Sequence, residues 1–115
     1  MARNHDDHTK NFSFLMDKTG KWSFAPAYDL CYSYNPAGRW TSRHQLSLNS
    51  KTDGFTREDL LTVAQNVGIR DANHIIEEVQ TSVASWRETA KDCGVRTGHI
   101  EAIGKNLLFD FRAHQ

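Results

Sequence analysis

Phe12-Ser13-Phe14-Leu15-Met16-Asp17-Lys18-Thr19-Gly20-Lys21-Trp22-Ser23-Phe24 is the stretch on which the fold turns. Two short aromatic-rich runs flank Asp17-Lys18-Thr19-Gly20, a segment of turn-forming residues with a glycine free to adopt positive φ. Aromatic residues in short runs favour strands. The pattern predicts a β-hairpin with strands near 11–16 and 21–25, and Pro26 closes the second because it has no amide hydrogen for a ladder. A hairpin returns the chain to its starting point, since paired strands lie about 5 Å apart. Asn11 and Asp29 should therefore converge at one end of it.

Downstream, the pattern changes to helix. Residues 33–54 hold Gly, Pro, Asn and Ser with one apolar alternation at Gln45-Leu46-Ser47-Leu48, which predicts mostly loop. Thr56-Arg57-Glu58-Asp59 has the form of a helix N-cap with an acidic residue three places on, flanked by Phe55 and Leu60 as a hydrophobic staple. A helix over 57–67 follows, with Leu60, Leu61 and Ala64 inward and Gly68 as its stop. A second, about 72–92, carries Ala72, Ile75, Ile76, Val79, Val83, Trp86 and Ala90 at intervals of three and four, and Gly94 ends it. A third begins after Thr97, places Ile100, Ile103, Leu107 and Phe111 on one face, and ends near Arg112. These stripes read as core, as do Trp22 and Trp86, although an amphipathic face can also serve a partner.

Composition limits the function classes. A chain of 115 residues and 13.1 kDa has the size of one domain. Its 14 basic and 14 acidic residues cancel, and no half is a basic arm, so the chain has no overall field to attract DNA, RNA or an anionic membrane. Arg39-Trp40 and Arg43 pair basic with aromatic residues, but without net charge the better reading is Trp40 packed on the domain. Cys31 and Cys93 are too few for a disulfide framework and fit two reduced thiols. No apolar stretch reaches the roughly 20 residues of a membrane span, and the polar start excludes a signal peptide core. A cytoplasmic protein is expected.

Polar residues capable of chemistry crowd into His5-Asp6-Asp7-His8-Thr9-Lys10-Asn11 before the hairpin and Tyr28-Asp29 after it. Phosphoryl transfer from a nucleotide needs a carboxylate beside the acceptor hydroxyl and hard oxygen ligands for Mg²⁺. Protein kinases supply these as D-x-x-x-x-N followed, after two short strands, by a metal-binding Asp. Asp6 and Asn11 have that spacing, whereas Asp7 and Asn11 do not; Lys10 can meet phosphate oxygens as a point charge. Two other readings stand beside this one. Asp6, Asn11 and Asp29 suit capped turns equally well. His5, Asp6, Asp7 and His8 could also bind a transition metal, though consecutive loop residues rarely all reach one ion.

Asn4-His5-Asp6-Asp7-His8-Thr9-Lys10-Asn11-Phe12-Ser13-Phe14, with Trp22 and Ala25-Pro26-Ala27-Tyr28-Asp29-Leu30, closely resembles the catalytic-loop and metal-site region of HipA-family serine/threonine kinases, toxins of HipBA-type toxin–antitoxin systems. His44-Gln45-Leu46-Ser47-Leu48-Asn49-Ser50-Lys51 resembles the family's H-Q-x-S-[IL]-N-G-K segment, with Ser50 where Gly is usual, and the helices resemble its C-terminal helices. The resemblance implies a mainly α fold with a small β-hairpin, the C-terminal helical subdomain of a protein-kinase-like fold. It divides into a catalytic-loop, hairpin and metal segment (1–32), a loop (33–54) and a helical subdomain (55–113). It further implies Asp6 as catalytic base, Asn11 and Asp29 as Mg²⁺ ligands, and His8, Lys10 and Tyr28 along the ATP phosphates.

The family phosphorylates protein hydroxyls, those of aminoacyl-tRNA synthetases among them. A HipB-like helix-turn-helix antitoxin neutralises it, so any contact with DNA is indirect. The resemblance also implies an N-terminal lobe with a phosphate-covering loop, a nucleotide-anchoring lysine and a regulatory serine, elements that the 115 residues do not carry. The expectation is therefore a C-terminal part of such a kinase, without tight ATP binding or autophosphorylation by itself. The alternative is a non-catalytic helical module that binds a partner such as an antitoxin.

Overall fold

The computed structural model describes residues 1–109. A 3-10 turn at Thr9–Asn11 leads into strands β1 (Phe14–Met16) and β2 (Trp22–Phe24). Helices α1 (Arg57–Asn66), α2 (Ala72–Ala84), α3 (Trp86–Asp92) and α4 (Thr97–Gly104) follow. The architecture is mainly helical with one small antiparallel hairpin, as the sequence predicts.

The hairpin pairs Phe14 with Phe24, Leu15 with Ser23 and Met16 with Trp22. Its turn is organised by Asp17, whose carboxylate accepts from the Thr19 amide (2.8 Å), the Thr19 hydroxyl (2.6 Å) and the Lys21 amide (3.0 Å), while Gly20 takes φ +83°. The strands are shorter than predicted because Asn11 belongs to the preceding 3-10 turn. One further bond, Ala25 N–H to the Ser13 carbonyl (2.9 Å), extends the pairing toward the open end. Every strand residue is exposed. Trp22, expected in the core, is 63% exposed, since no helix packs on the hairpin among the described residues.

In the helical half, α1 packs on α2 and α3 on α4. The Thr56 side chain accepts from the Asp59 amide while Asp59 bonds back to the Thr56 amide, a complete capping box. Helices α1 and α3 end alike. Gly68 (φ +77°) and Gly94 (φ +73°) follow the last helical turn, and the next amides, Ile69 and Val95, donate back to the carbonyls of Ala64 (2.8 Å) and Ala90 (2.9 Å). Only glycine takes this left-handed position without strain, which is why both stops were legible in sequence. The buried apolar set is Ala64, Ala72, Ile76, Ala90, Ile100 and Leu107, with Ala25 beneath the hairpin end.

Four helical expectations need correction. The single helix over 72–92 is two, broken at Ser85. The Ser85 hydroxyl donates to the Ser82 carbonyl (2.8 Å), a local bond that competes with the helical ladder and bends it. The bend sends Trp86 to α4, where its Nε1 donates to the Ile100 carbonyl (3.0 Å) and its ring is half-buried rather than in the core. Ile75 and Val79, assigned to the buried stripe, stay 46% and 44% exposed because α1 covers only one side of α2. The third helix stops at Gly104, and the chain leaves it to pair with the N-terminal segment: Leu108 N–H donates to the Met1 carbonyl (3.1 Å). Phe111 and Arg112 lie outside the described residues.

The loop at 33–54 is as predicted, apart from one bridge between Leu48 and Lys51. Trp40 is 64% exposed, with the Arg39 guanidinium 4.9 Å from its ring centre, rather than packed on the domain. Cys31 and Cys93 are free thiols. No helix among the described residues is long and apolar enough to cross a membrane.

Candidate functional site

The hairpin brings its two ends together, and a set of hydrogen bonds ties them. Tyr28 donates its hydroxyl to the Lys10 carbonyl (2.8 Å), across the open end. The Asn11 side chain turns back and donates Nδ2 to the Asp6 carbonyl (2.9 Å), closing the D-x-x-x-x-N loop on itself. The 3-10 turn between them, with Asn11 N–H donating to the His8 carbonyl (3.1 Å), sets the loop's curvature. His8 Nε2 stands 3.8 Å from Asp6 Oδ1, both side chains being about half exposed.

A second path links the loop to Asp29. The Asp6 amide donates to Ser33 Oγ (3.0 Å), the Ser33 hydroxyl donates to Asn4 Oδ1 (2.9 Å), and Asn4 Nδ2 donates to the Asp29 carbonyl (3.2 Å). Ser33 is itself held by its amide on the Arg3 carbonyl (3.1 Å). Asp29 adopts φ +55°, a left-handed conformation that aspartate tolerates better than most non-glycine residues. Asp6 and Asn11 are thus joined to Asp29 through Ser33 and Asn4, Tyr28 and Lys10 are paired beside them across the hairpin's open end, and His8 stands against Asp6.

The donor set is hard. Asp6 and Asp29 offer carboxylates and Asn11 an amide oxygen, the type that suits Mg²⁺, which is usually held by one or two carboxylates together with substrate phosphates. Asn4, Asp7, Asn11 and Tyr28 line a cavity of about 100 Å³ walled by Phe12 and Phe24. Among the described residues, no three His, Cys, Asp or Glu side chains gather into a metal-binding group. The four consecutive polar residues 5–8 have different partners. His5 is fully buried against Tyr34 and His44, with ring centres 5.0 and 4.1 Å away, and neither ring nitrogen has a protein partner.

Asp7 faces the loop. Its carboxylate accepts from His44 Nδ1 (2.7 Å), the Gln45 amide (2.7 Å) and the Leu46 amide (3.4 Å). Burial pushes its pKa up, but the His44 bond and the two amides outweigh burial and hold it below the ordinary carboxylate range. The other end of that loop is held by Asp59, which accepts from Lys51 Nζ (2.7 Å) and Asn49 Nδ2 (2.7 Å) as well as capping α1. Lys51 first, then Asn49 and the Thr56 amide, hold the Asp59 carboxyl far below the ordinary range. The segment 44–51 is thus a strap fixed to the catalytic-type loop at one end and to α1 at the other.

Asn4, Ser33 and the Asp7–His44 pair were not assigned roles in sequence. Asn4 lay within the recognisable stretch, but Ser33 carries no local signal, because its partners are 27 and 29 residues away.

Comparison with known proteins identifies a family. The family model described as HipA-like C-terminal domain matches residues 1–87, which hold every residue of the constellation. No curated protein and no solved structure matches the chain.

Proposed function

The chain belongs to the HipA-like C-terminal domain family, and on that premise we propose that it supplies the proton-accepting and metal-holding segment of a serine/threonine protein kinase of a toxin–antitoxin system. The observation that carries the reading is the bonded path from the Asp6 amide to the Asp29 carbonyl, which joins the two carboxylate-bearing segments that phosphoryl transfer requires. Asp6 accepts the proton of the acceptor hydroxyl on a protein substrate. Asn11 and Asp29 would hold Mg²⁺; Lys10, His8 and Tyr28 would lie along the nucleotide phosphates. When bound, Mg²⁺ with ATP supplies a γ-phosphoryl group whose charge is partly neutralised. A HipB-like helix-turn-helix antitoxin is the regulatory partner of this reading, and DNA is reached only through it.

The test is phosphotransfer by the whole kinase, read by mass spectrometry of the phosphorylated partner. Asp6→Ala should abolish transfer while leaving ATP binding nearly intact, and Asp29→Ala should weaken Mg–ATP binding. If neither substitution changes phosphorylation, the assignment is wrong.

One observation favours a second reading, a non-catalytic helical module that binds a partner. Leu46, Phe55, Leu60, Ile75 and Val79 line an apolar groove of about 440 Å³ beside α2. Full antitoxin binding by a chain in which Asp6→Ala and Asp29→Ala change no measurable phosphotransfer would favour that reading.

A further inference from the structure

We infer that Asn4 and Ser33 are positioning residues, which together set where Asp29 sits relative to Asp6. The inference rests on the kinase reading above and goes beyond it, because neither side chain has a role in that chemistry.

Ser33 Oγ accepts from the Asp6 amide and donates to Asn4 Oδ1, so its one proton and one of its lone pairs are committed. That commitment orients Asn4: with Oδ1 taken by a donor, Nδ2 is the atom left to face the Asp29 carbonyl. The relay therefore has a direction, from amide to hydroxyl to amide side chain to carbonyl. Its far end is Asp29, held at φ +55°. Aspartate visits that conformation more readily than most residues, and the Asn4 bond is a contact from outside its own segment that fixes it there. At its near end, the relay holds the backbone of the residue proposed to accept the proton.

Both residues sit where such a relay is not needed for folding alone. The ends of the hairpin are already joined by Tyr28 and Lys10, and the N-terminal segment is anchored independently by Arg3 Nε on the Asn106 carbonyl (2.9 Å) and Leu108 on Met1. Removing Asn4 or Ser33 should leave these anchors in place and free Asp29 to leave its present position. Loss of a group that orients a metal ligand ordinarily costs roughly 10–100-fold in metal affinity.

The experiment uses amide NMR of the full 115-residue chain, titrated with Mn²⁺ plus ATP, because paramagnetic broadening reports weak binding as well as tight. In the unsubstituted chain the amides of Asn11 and Asp29 should broaden selectively, and Asp29→Ala should remove the effect. Asn4→Ala and Ser33→Ala should each raise the broadening midpoint at least tenfold, and the double variant little further, since one relay is cut only once. Ser33→Thr, which keeps a hydroxyl, should restore the midpoint. Hydrogen exchange gives a metal-free readout: the Asp6 amide should exchange faster in Ser33→Ala and Asn4→Ala but not in Ser33→Thr.

If Asp29→Ala abolishes broadening while Asn4→Ala and Ser33→Ala leave the midpoint unchanged, the positioning role is refuted and the kinase reading stands. An unchanged Asp6 exchange rate in Ser33→Ala refutes it too. If the unsubstituted chain shows no selective broadening at Asn11 and Asp29, the positioning role is refuted, while the kinase reading is judged by phosphotransfer of the whole kinase.

Discussion

Ser50 shows how one side chain records a departure that the backbone did not follow. Asn49 and Ser50 sit between the bridged residues Leu48 and Lys51 with φ +50° and +62°, the two positive values that a tight hairpin turn requires. Asparagine tolerates that conformation and serine pays for it in steric strain. Ser50→Gly should therefore stabilise the chain by about 0.5–1 kcal/mol, the left-handed penalty less the extra chain entropy of glycine, and urea unfolding would read it. Asp59 makes a second prediction at this scale. Its folded pKa is depressed below the unfolded value of about 3.9. The unfolded state therefore binds the proton first as pH falls. The stabilisation is complete above about pH 4 and is lost below it, and Asp7 acts in the same direction. Urea midpoints between pH 7 and 2 should fall steeply in the parent chain and less steeply in Asp59→Asn; equal slopes would refute the assignment.

Among the elements, the bend at Ser85 matters most, because it turns one predicted helix into two and gives α4 its partner. Trp86 joins them by its indole bond to the Ile100 carbonyl, and its ring lies beside Gly104, 3.7 Å from where a Cβ would stand. Trp86→Ala should cost about 2–3 kcal/mol, below the 3–5 of a fully buried tryptophan because this ring is only half-buried. Loss of α4 amide protection before that of α1 would show that the cost falls on the α3–α4 pair. The helix ends were legible because capping boxes and C-terminal glycines are local chemistry. The break was not, since an apolar period of three to four residues continues through Ser85 unchanged and the bend depends on a serine hydroxyl choosing a carbonyl.

Across the whole molecule the core is small and the apolar surface large. The radius of gyration is 16.2 Å, whereas a globular domain of this length has roughly 13 Å. Phe12, Phe14, Leu15, Met16, Trp22 and Phe24 are all more than half exposed on one hairpin, an unusually large apolar patch for a chain of this size. Such a surface should bind the dye ANS in the folded state. Replacing Phe14 and Trp22 by Lys should reduce that fluorescence by half or more without lowering helix content by circular dichroism. Undiminished fluorescence in the double variant would place the dye elsewhere, the groove beside α2 being the next candidate.

What the sequence determined by itself was whatever depends on neighbours along the chain. The hairpin and its turn, the Thr56 cap, the glycine stops and the D-x-x-x-x-N spacing are all set within a few residues, and each is present, the strands alone being shorter than predicted. Burial is another matter. Trp22, Trp40, Ile75 and Val79 read as packed and are open to solvent, because an apolar residue is covered only if a distant segment arrives to cover it. The site divides in the same way. Asp6, Asn11 and Asp29 could be named from residue type and order, while the connection of Asp6 to Asp29 through Ser33 and Asn4 came only from the tertiary structure. A hydroxyl 27 residues from the amide it accepts has no local pattern to betray it; the fold alone brings the two within 3.0 Å.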